Sequence, residues 1–166
     1  MGKIDEIKNI AVIGAGTMGS GIALVFAHRG YKVKIVDIHQ ESLNKAKSVI
    51  RTALATLVEF GIFNQEEIDP TLGHIFFTNS QKEAASDADL VLETIVEDRD
   101  AKKELFKDLN KICSPETIIA SNTSSLNIFD IVPSSRLPNT LIANWFNPPH
   151  ILPLVDVVRG PRTSDE

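Results

Sequence analysis

Three glycines, Gly14, Gly16 and Gly19, stand at the spacing G-x-G-x-x-G directly after the apolar run Ile10-Ala11-Val12-Ile13. A helix-favouring segment follows at once, with Ile22, Ala23, Leu24, Phe26 and Ala27. The chemistry open to this group is the binding of a pyrophosphate. Gly14 permits a tight turn, Gly16 lets backbone approach phosphate oxygens, and Gly19 lets the helix lie close to the strand. N–H groups at the helix start, among them those of Thr17 and Met18, then face the anion with the positive end of the helix dipole behind them. Asp37 closes the next apolar run, Lys32-Val33-Lys34-Ile35-Val36, 23 positions after Gly14. A ribose-binding acid is expected roughly 20 residues beyond the glycines. A carboxylate there accepts hydrogen bonds from ribose hydroxyls and repels a 2′-phosphate, so NAD is favoured over NADP. Taken singly, the glycines are turn residues and Asp37 is a loop start. Taken together they specify a dinucleotide.

These residues need elements to hold them. At 166 residues, 43% hydrophobic and 23% charged, the chain has the size and composition of one globular domain. A net charge of −5 and the lack of any Lys/Arg block argue against a nucleic-acid partner. The single cysteine, Cys113, cannot form an internal disulfide, which fits a reducing, cytoplasmic setting. The first residues, Met1-Gly2-Lys3-Ile4-Asp5-Glu6, lack the apolar stretch of a signal peptide and the Ser/Thr of a myristoylation signal. No apolar run approaches the ~18 residues needed to span a bilayer, so no membrane partner is expected.

Gly30 marks the end of the first helix. After Asp37, Leu43, Ala46, Val49, Ile50, Ala53, Leu54 and Leu57 form a stripe at i, i+3, i+4 spacing, which predicts a long helix ended by Gly61. Residues 64–70 read as a short helix or turn leading into a strand at 74–78. A near-continuous apolar run at 88–93 suits a buried parallel strand. A helix follows over 98–113, with Ala101, Leu105, Phe106, Leu109 and Ile112 facing inward and Asp98 and Asp100 at its positive end. Strands are expected at 117–120 and 140–143, a short helix at 125–132, and a last strand within 152–158 with Pro153 near its start. Alternating strands and helices predict an α/β, Rossmann-like, doubly wound and mostly parallel sheet. Ligands in such sheets bind beyond the carboxyl ends of the strands, which selects residues 14–19, Asp37, 93–97, 121–125 and 144–147. The final Thr163-Ser164-Asp165-Glu166 has the T-x-x-E pattern of a capping box. It announces a helix beyond the last residue, and the expectation is a sheet truncated before its last strands; a polar tail is the alternative.

The segments GAGTMGSGIA, Asp37, ADLVLETIVED, ASNTSSL and NWFNPPHILPLVDVVRG together resemble the NAD-binding domain of the L-3-hydroxyacyl-CoA dehydrogenases. The resemblance covers nearly the whole chain. It implies an N-terminal NAD-binding domain over residues 1–166, with the family's helical C-terminal domain absent and a homodimer as the full-length form. It also implies NAD-dependent oxidation or reduction at C3 of a 3-hydroxyacyl-CoA such as 3-hydroxybutyryl-CoA, in fatty-acid or butanoate metabolism. Gly14, Gly16 and Gly19 match the pyrophosphate loop and Asp37 the adenosine-ribose acid. Glu97 matches an acid near the nicotinamide, and Lys102 a lysine on the cofactor side. Ser124 matches the serine that hydrogen-bonds the substrate's C3 oxygen, and Asn147 an asparagine that holds the active-site histidine. From their surroundings alone, Glu97 and Lys102 read as a solvated helix start. Residues 121–125 read as a strand-to-helix turn with Ser/Thr caps.

Two departures from the family pattern bear on chemistry. The family's general base is the histidine opening H-F-F-N-P, where this sequence has Asn144; the glutamate twelve residues on is Asp156 here. A histidine backed by a carboxylate takes the hydroxyl proton near neutral pH, whereas an amide has no usable proton affinity. His150, six residues past Asn144 and beyond two prolines, is a poor substitute. His28, His39 and His74 read as surface or packing residues. The turn that meets the CoA phosphates in acyl-CoA members reads Leu57-Val58-Glu59-Phe60, without a base. The pair Pro148-Pro149 resembles the branch of gulonate dehydrogenase and lambda-crystallin, whose substrates carry no CoA. Three expectations therefore stand: a 3-hydroxyacyl-CoA dehydrogenase, an NAD-binding module with impaired or no catalysis, and a dehydrogenase of a small non-CoA hydroxy acid.

Overall fold

A computed structural model describes residues 6–152 and 154–165. Within them lie strands β1 (Asn9–Ile13), β2 (Lys32–Val36), β3 (Ile75–Thr78), β4 (Leu90–Glu93), β5 (Ile118–Ser121), β6 (Thr140–Trp145) and β7 (Val155–Arg159). The helices are α1 (Thr17–His28), α2 (Gln40–Glu59), α3 (Ile68–Gly73), α4 (Gln81–Ala85) and α5 (Arg99–Ile112). The strands form one sheet in the order β3-β2-β1-β4-β5-β6-β7. The first six are mutually parallel and β7 closes the row antiparallel to β6. The Rossmann-like, mostly parallel reading of the sequence is thus what the chain adopts.

The alternation of side chains along each strand sorts the core into two layers. Ile10 and Val12 of β1 pack with Leu24, Ile35, Leu43, Ile50 and Leu54 on the α1/α2 face. Ala11 and Ile13 pack with Val91, Phe106, Leu109 and Ile119 on the α4/α5 face. Of the α2 stripe, Leu43, Ala46, Ile50, Leu54 and Leu57 are buried as its spacing predicts, Ala53 is half-buried, and Val49, at its edge, stays 38% exposed.

Helix α5 is closed at both ends by side chains. The Asp98 carboxylate accepts from Ala101 N–H at 2.8 Å, satisfying a first-turn donor. At the other end the buried Arg136 guanidinium donates to Asn110 O of the last turn at 3.3 Å, and just past the helix to Cys113 O at 2.7 Å and Ser114 O at 2.5 Å. Cys113 is buried there, and burial pushes its thiol pKa up against a smaller lowering by Arg136.

Several expectations need correction. The short helix over 125–132 is only a 3-10 turn at Ile128–Asp130. The Thr123 hydroxyl oxygen accepts from Leu126 N–H, and Asn127 Oδ1 from Phe129 N–H, so side chains take the donors a helix would use. Pro133 blocks any continuation. Helix α4 has no counterpart in the sequence reading, although Ser80-Gln81-Lys82-Glu83 carries a capping signature and Ser80 Oγ does accept from Glu83 N–H. Strand β4 starts two residues later than expected, and just before it the Asp89 carboxylate accepts from the N–H groups of Lys8 and Asn9, each at 2.8 Å. The last strand lies at Val155–Arg159 and Pro153 lies outside the described residues. The Thr163 hydroxyl accepts from Gly160 N–H and donates to Thr140 O, pinning the chain against β6; Glu166 lies outside the described residues. Val157 and Val158 of β7 are 64% and 48% exposed, an apolar stretch on the sheet's last strand. Among the described residues no helix is long and apolar enough to cross a membrane.

Candidate functional site

The parallel register brings the carboxyl ends of the central strands level. Ile13 stands beside Val36 and Glu93, and Glu93 beside Ser121. Every segment selected from the sequence therefore leaves the sheet along one crest.

The glycine turn is built by contacts that only glycine allows. Gly14 has φ +110°, and a Cβ there would lie 2.8 Å from Thr94 O. A Cβ on Gly19 would lie 2.0 Å from Gly14 O, so α1 sits directly on the turn. Thr94 Oγ1 donates to Ile13 O at 3.0 Å and Gly14 O at 3.2 Å, fixing the turn from the β4 side. Gly16 differs: a Cβ there would meet nothing within 4 Å. The open space above Gly16 is where backbone can approach something outside the chain. The start of α1 has no side-chain cap and no acid in its first turn, so its first N–H groups, including those of Thr17 and Met18, remain available to an anion. Asp37 reaches this turn directly. Its Oδ2 accepts from Ala15 N–H at 3.0 Å and its Oδ1 from His39 N–H at 2.9 Å. These residues fit a dinucleotide: donors with no partner of their own, room at Gly16, and an acid fixed beside them.

On the other side of the crest lies a network that sequence reasoning only partly found. Lys102 does not belong to a solvated helix start; it is 1% exposed and its Nζ lies 2.6 Å from Glu93 Oε1 and 3.3 Å from Glu97 Oε2. A lysine one turn into an amphipathic helix gives no sign of burial until the acid at the adjacent strand end is known to point at it. Glu93, 0% exposed, also accepts from Ile95 N–H at 2.8 Å and from Ser121 Oγ at 2.5 Å. The sequence places Glu93 at a ligand-binding strand end within 93–97 but gives it no role of its own, and its charge at the end of an apolar run was the available signal. Glu97 accepts from Thr123 Oγ1, and from Ser125 Oγ at 3.0 Å. Burial raises the Glu97 pKa, but the hydroxyls of Thr123 and Ser125 and the Lys102 charge outweigh it and leave the carboxyl below its ordinary value.

Ser124 lies in this same turn, exposed and with no hydrogen-bond partner among the described residues. Asn122 Oδ1 accepts from Trp145 N–H at 2.8 Å and so ties the turn to the end of β6, a link not foreseen. Asn144 and Asp156 are direct cross-strand partners in the β6·β7 pair, so a separation of twelve residues becomes one ladder rung. Asn144 is half-buried and Asp156 exposed. Asn147 stands apart from this group; it precedes the cis Asn147–Pro148 bond and lines a small cavity with Thr17, Ser20 and Gly21 of α1. His150 packs on Gly21, away from the crest, and burial pushes its pKa down. His28 lies against Phe63, with ring centroids 3.9 Å apart. A cavity of about 360 Å³ between α1, Phe63 and the β6–β7 connection is lined mainly by apolar groups and includes none of the glycine turn, Asp37, Glu93 or Glu97. The crest, with its uncapped donors and convergent polar side chains, is the stronger site by its chemistry. Among the described residues no cluster of side chains could hold a metal ion.

The profile of the family described as "3-hydroxyacyl-CoA dehydrogenase, NAD binding domain" matches residues 9–166. The chain is 41% identical over 162 residues to a probable 3-hydroxybutyryl-CoA dehydrogenase of Bacillus subtilis, covering 97% of this chain and 56% of that protein. It is 45% identical over 156 residues to a probable 3-hydroxybutyryl-CoA dehydrogenase of Deinococcus radiodurans, covering 93% and 55%. The crystal structure of 3-hydroxybutyryl-CoA dehydrogenase from Escherichia coli superposes with a TM-score of 0.89 at 34% identity, over 96% of this chain and 34% of that one. The chain thus spans a little over half the length of these two curated relatives.

Proposed function

The chain belongs to the 3-hydroxyacyl-CoA dehydrogenase family, through that family's NAD-binding domain, and from this premise we propose that it serves NAD-dependent oxidation or reduction at C3 of a 3-hydroxyacyl-CoA. The substrate is of the 3-hydroxybutyryl-CoA type. Residues 1–166 form the cofactor domain, and a second, helical domain completes the substrate site and the dimer.

In this reading the N–H groups at residues 16–19 hold the pyrophosphate, and the lone pairs left free on Asp37 take the adenosine ribose hydroxyls. Glu97 and Lys102 face the nicotinamide half. The unpartnered Ser124 hydroxyl donates to the oxygen on C3, and Asn147 lines the substrate's approach. Bound NAD supplies the hydride acceptor, or as NADH the donor. Asn144 occupies the position of the proton-transfer group with Asp156 across the ladder from it. Its amide can donate a hydrogen bond to the C3 oxygen but cannot take the hydroxyl proton. Loss of a general base costs roughly 10²–10⁴-fold in rate.

The observation that carries the reading is the bond between Asp37 Oδ2 and Ala15 N–H, which holds this acid against the glycine turn. Calorimetry with NADH tests it: the chain binds, and Asp37→Ala weakens binding by roughly 10–100-fold, as expected for loss of charged hydrogen bonds. No heat with NADH at millimolar concentration overturns the reading. Asn144 favours a second reading, a nucleotide-binding module without turnover. Reduction of acetoacetyl-CoA separates the two. In a full-length form that carries the second domain, negligible turnover that rises by about 10²–10⁴-fold in Asn144→His places the catalytic loss at that residue. The base-free Leu57-Val58-Glu59-Phe60 turn and Pro148-Pro149 favour a small non-CoA hydroxy acid as the alternative substrate, which the same assay distinguishes by indifference to the thioester.

A further inference from the structure

The network at the ends of β4 and β5 does not balance its charge. Glu93 uses both oxygens as acceptors: Oε1 takes Lys102 Nζ and Ile95 N–H, and Oε2 takes the Ser121 hydroxyl. Each of these neighbours offers a hydrogen to the Glu93 side chain. Glu97 is likewise met only by donors, from Thr123, Ser125 and Lys102. The described ion pairs place one cation, Lys102, against these two carboxylates. One negative charge is therefore left over. Glu93 and Lys102 are sealed at 0% and 1% exposure, and the surplus lies on Glu97, the one member that reaches the surface at 38%.

Its position gives that surplus a target. Asp37 and the glycine turn put the adenosine half of a dinucleotide over β1 and β2, and the two-halved Rossmann plan then sends the nicotinamide half across the crevice to the β4–β5 side. There the oxidised ring is a cation and the reduced ring is neutral. A fixed surplus charge acts on the first and not on the second.

We infer that the uncompensated Glu97 carboxylate makes this site discriminate between the two redox states of its cofactor, holding NAD⁺ more tightly relative to NADH than a neutral crest would. The inference rests on the NAD reading given above and adds a function to Glu97 beyond contact with the cofactor. Its partners explain the construction. Lys102 alone, paired with Glu93, would leave the β4–β5 end of the crest neutral; the hydroxyls of Thr123 and Ser125 keep Glu97 ionised and aimed without cancelling it.

The test is calorimetric titration of the whole chain with NAD⁺ and with NADH, for the unaltered protein and for Glu97→Gln, Glu97→Asp and Val96→Lys. Glu97→Gln removes charge at nearly constant shape. It is expected to weaken NAD⁺ by about tenfold, a Coulomb effect reduced by solvent at a partly exposed site, while NADH changes less than about threefold. Glu97→Asp restores the ratio. Val96 is 70% exposed and has no part in the network, so Val96→Lys adds a cation without disturbing the fold and shifts the ratio in the same direction as Glu97→Gln. Equal losses of both cofactors in Glu97→Gln, or an unchanged ratio in Val96→Lys, overturn the inference and leave the NAD reading standing. Failure of the unaltered chain to bind either cofactor overturns both.

Discussion

At the scale of single residues, Lys102 decides how the site is read. Its ammonium is buried between two carboxylates, one of them wholly sealed. Removing one partner of a buried pair leaves an uncompensated charge and costs about 3–5 kcal/mol, more than the pair itself contributes. Lys102→Met is expected to lose stability of that order in urea unfolding, whereas breaking the exposed pair Lys111–Asp108 is expected to leave the urea midpoint almost unchanged. A solvated Lys102, the reading its sequence context invites, predicts that both variants behave alike. Gly14, Gly16, Gly19 and Asp37 were legible because their types and spacing state a local geometry. Glu93 and Lys102 were not, because nine residues of sequence separate a pair that only the turn from strand to helix brings into contact. Asn144 and Asp156 fall between: the residue types mark a departure from the family's histidine and glutamate, and the antiparallel pairing shows that they are neighbours.

At the scale of elements, the strand–turn–helix unit of β1 and α1 separates two demands placed on glycine. Gly19 is required by the protein itself, since a Cβ would lie 2.0 Å from Gly14 O. Gly16 has no protein atom in its way. Gly19→Ala is expected to push α1 off the turn, costing about 1–3 kcal/mol in thermal or chemical unfolding together with NADH affinity. Gly16→Ala is expected to unfold with the wild type to within about 0.5 kcal/mol and still to lose NADH affinity, because the added methyl stands only in the ligand's space. Equal effects of the two on stability would count against this division. Periodicity found α1, α2 and α5 because each buries a continuous stripe. It missed α4, which is five residues long and held by its Ser80 cap. It overextended the turn after β5, where hydroxyl and amide side chains outcompete the backbone.

At the scale of the whole molecule, two of the groups described make the fold sensitive to acid. Burial holds His150 neutral with its pKa below the ordinary 6.5. The unfolded chain therefore takes up that proton first, and stability present above about pH 6.5 declines as pH falls toward the folded value. Glu97 acts in the same direction further down. Its folded pKa lies below 4.5, so the stability it contributes is complete above the unfolded value and is lost as pH falls through the folded one. Chemical denaturation between pH 7 and 5 is expected to show a slope that His150→Phe flattens, while a further loss below pH 4.5 persists in that variant. The buried thiol where Arg136 closes α5 has a consequence of its own. Cys113 is the chain's single cysteine, hidden in the fold with its ionisation suppressed, so an aromatic disulfide reagent can react only during moments when that corner opens. The labelling rate is then a built-in clock for the opening of one joint, and it should slow when a saturating nucleotide clamps the crest at the opposite end of the same helix.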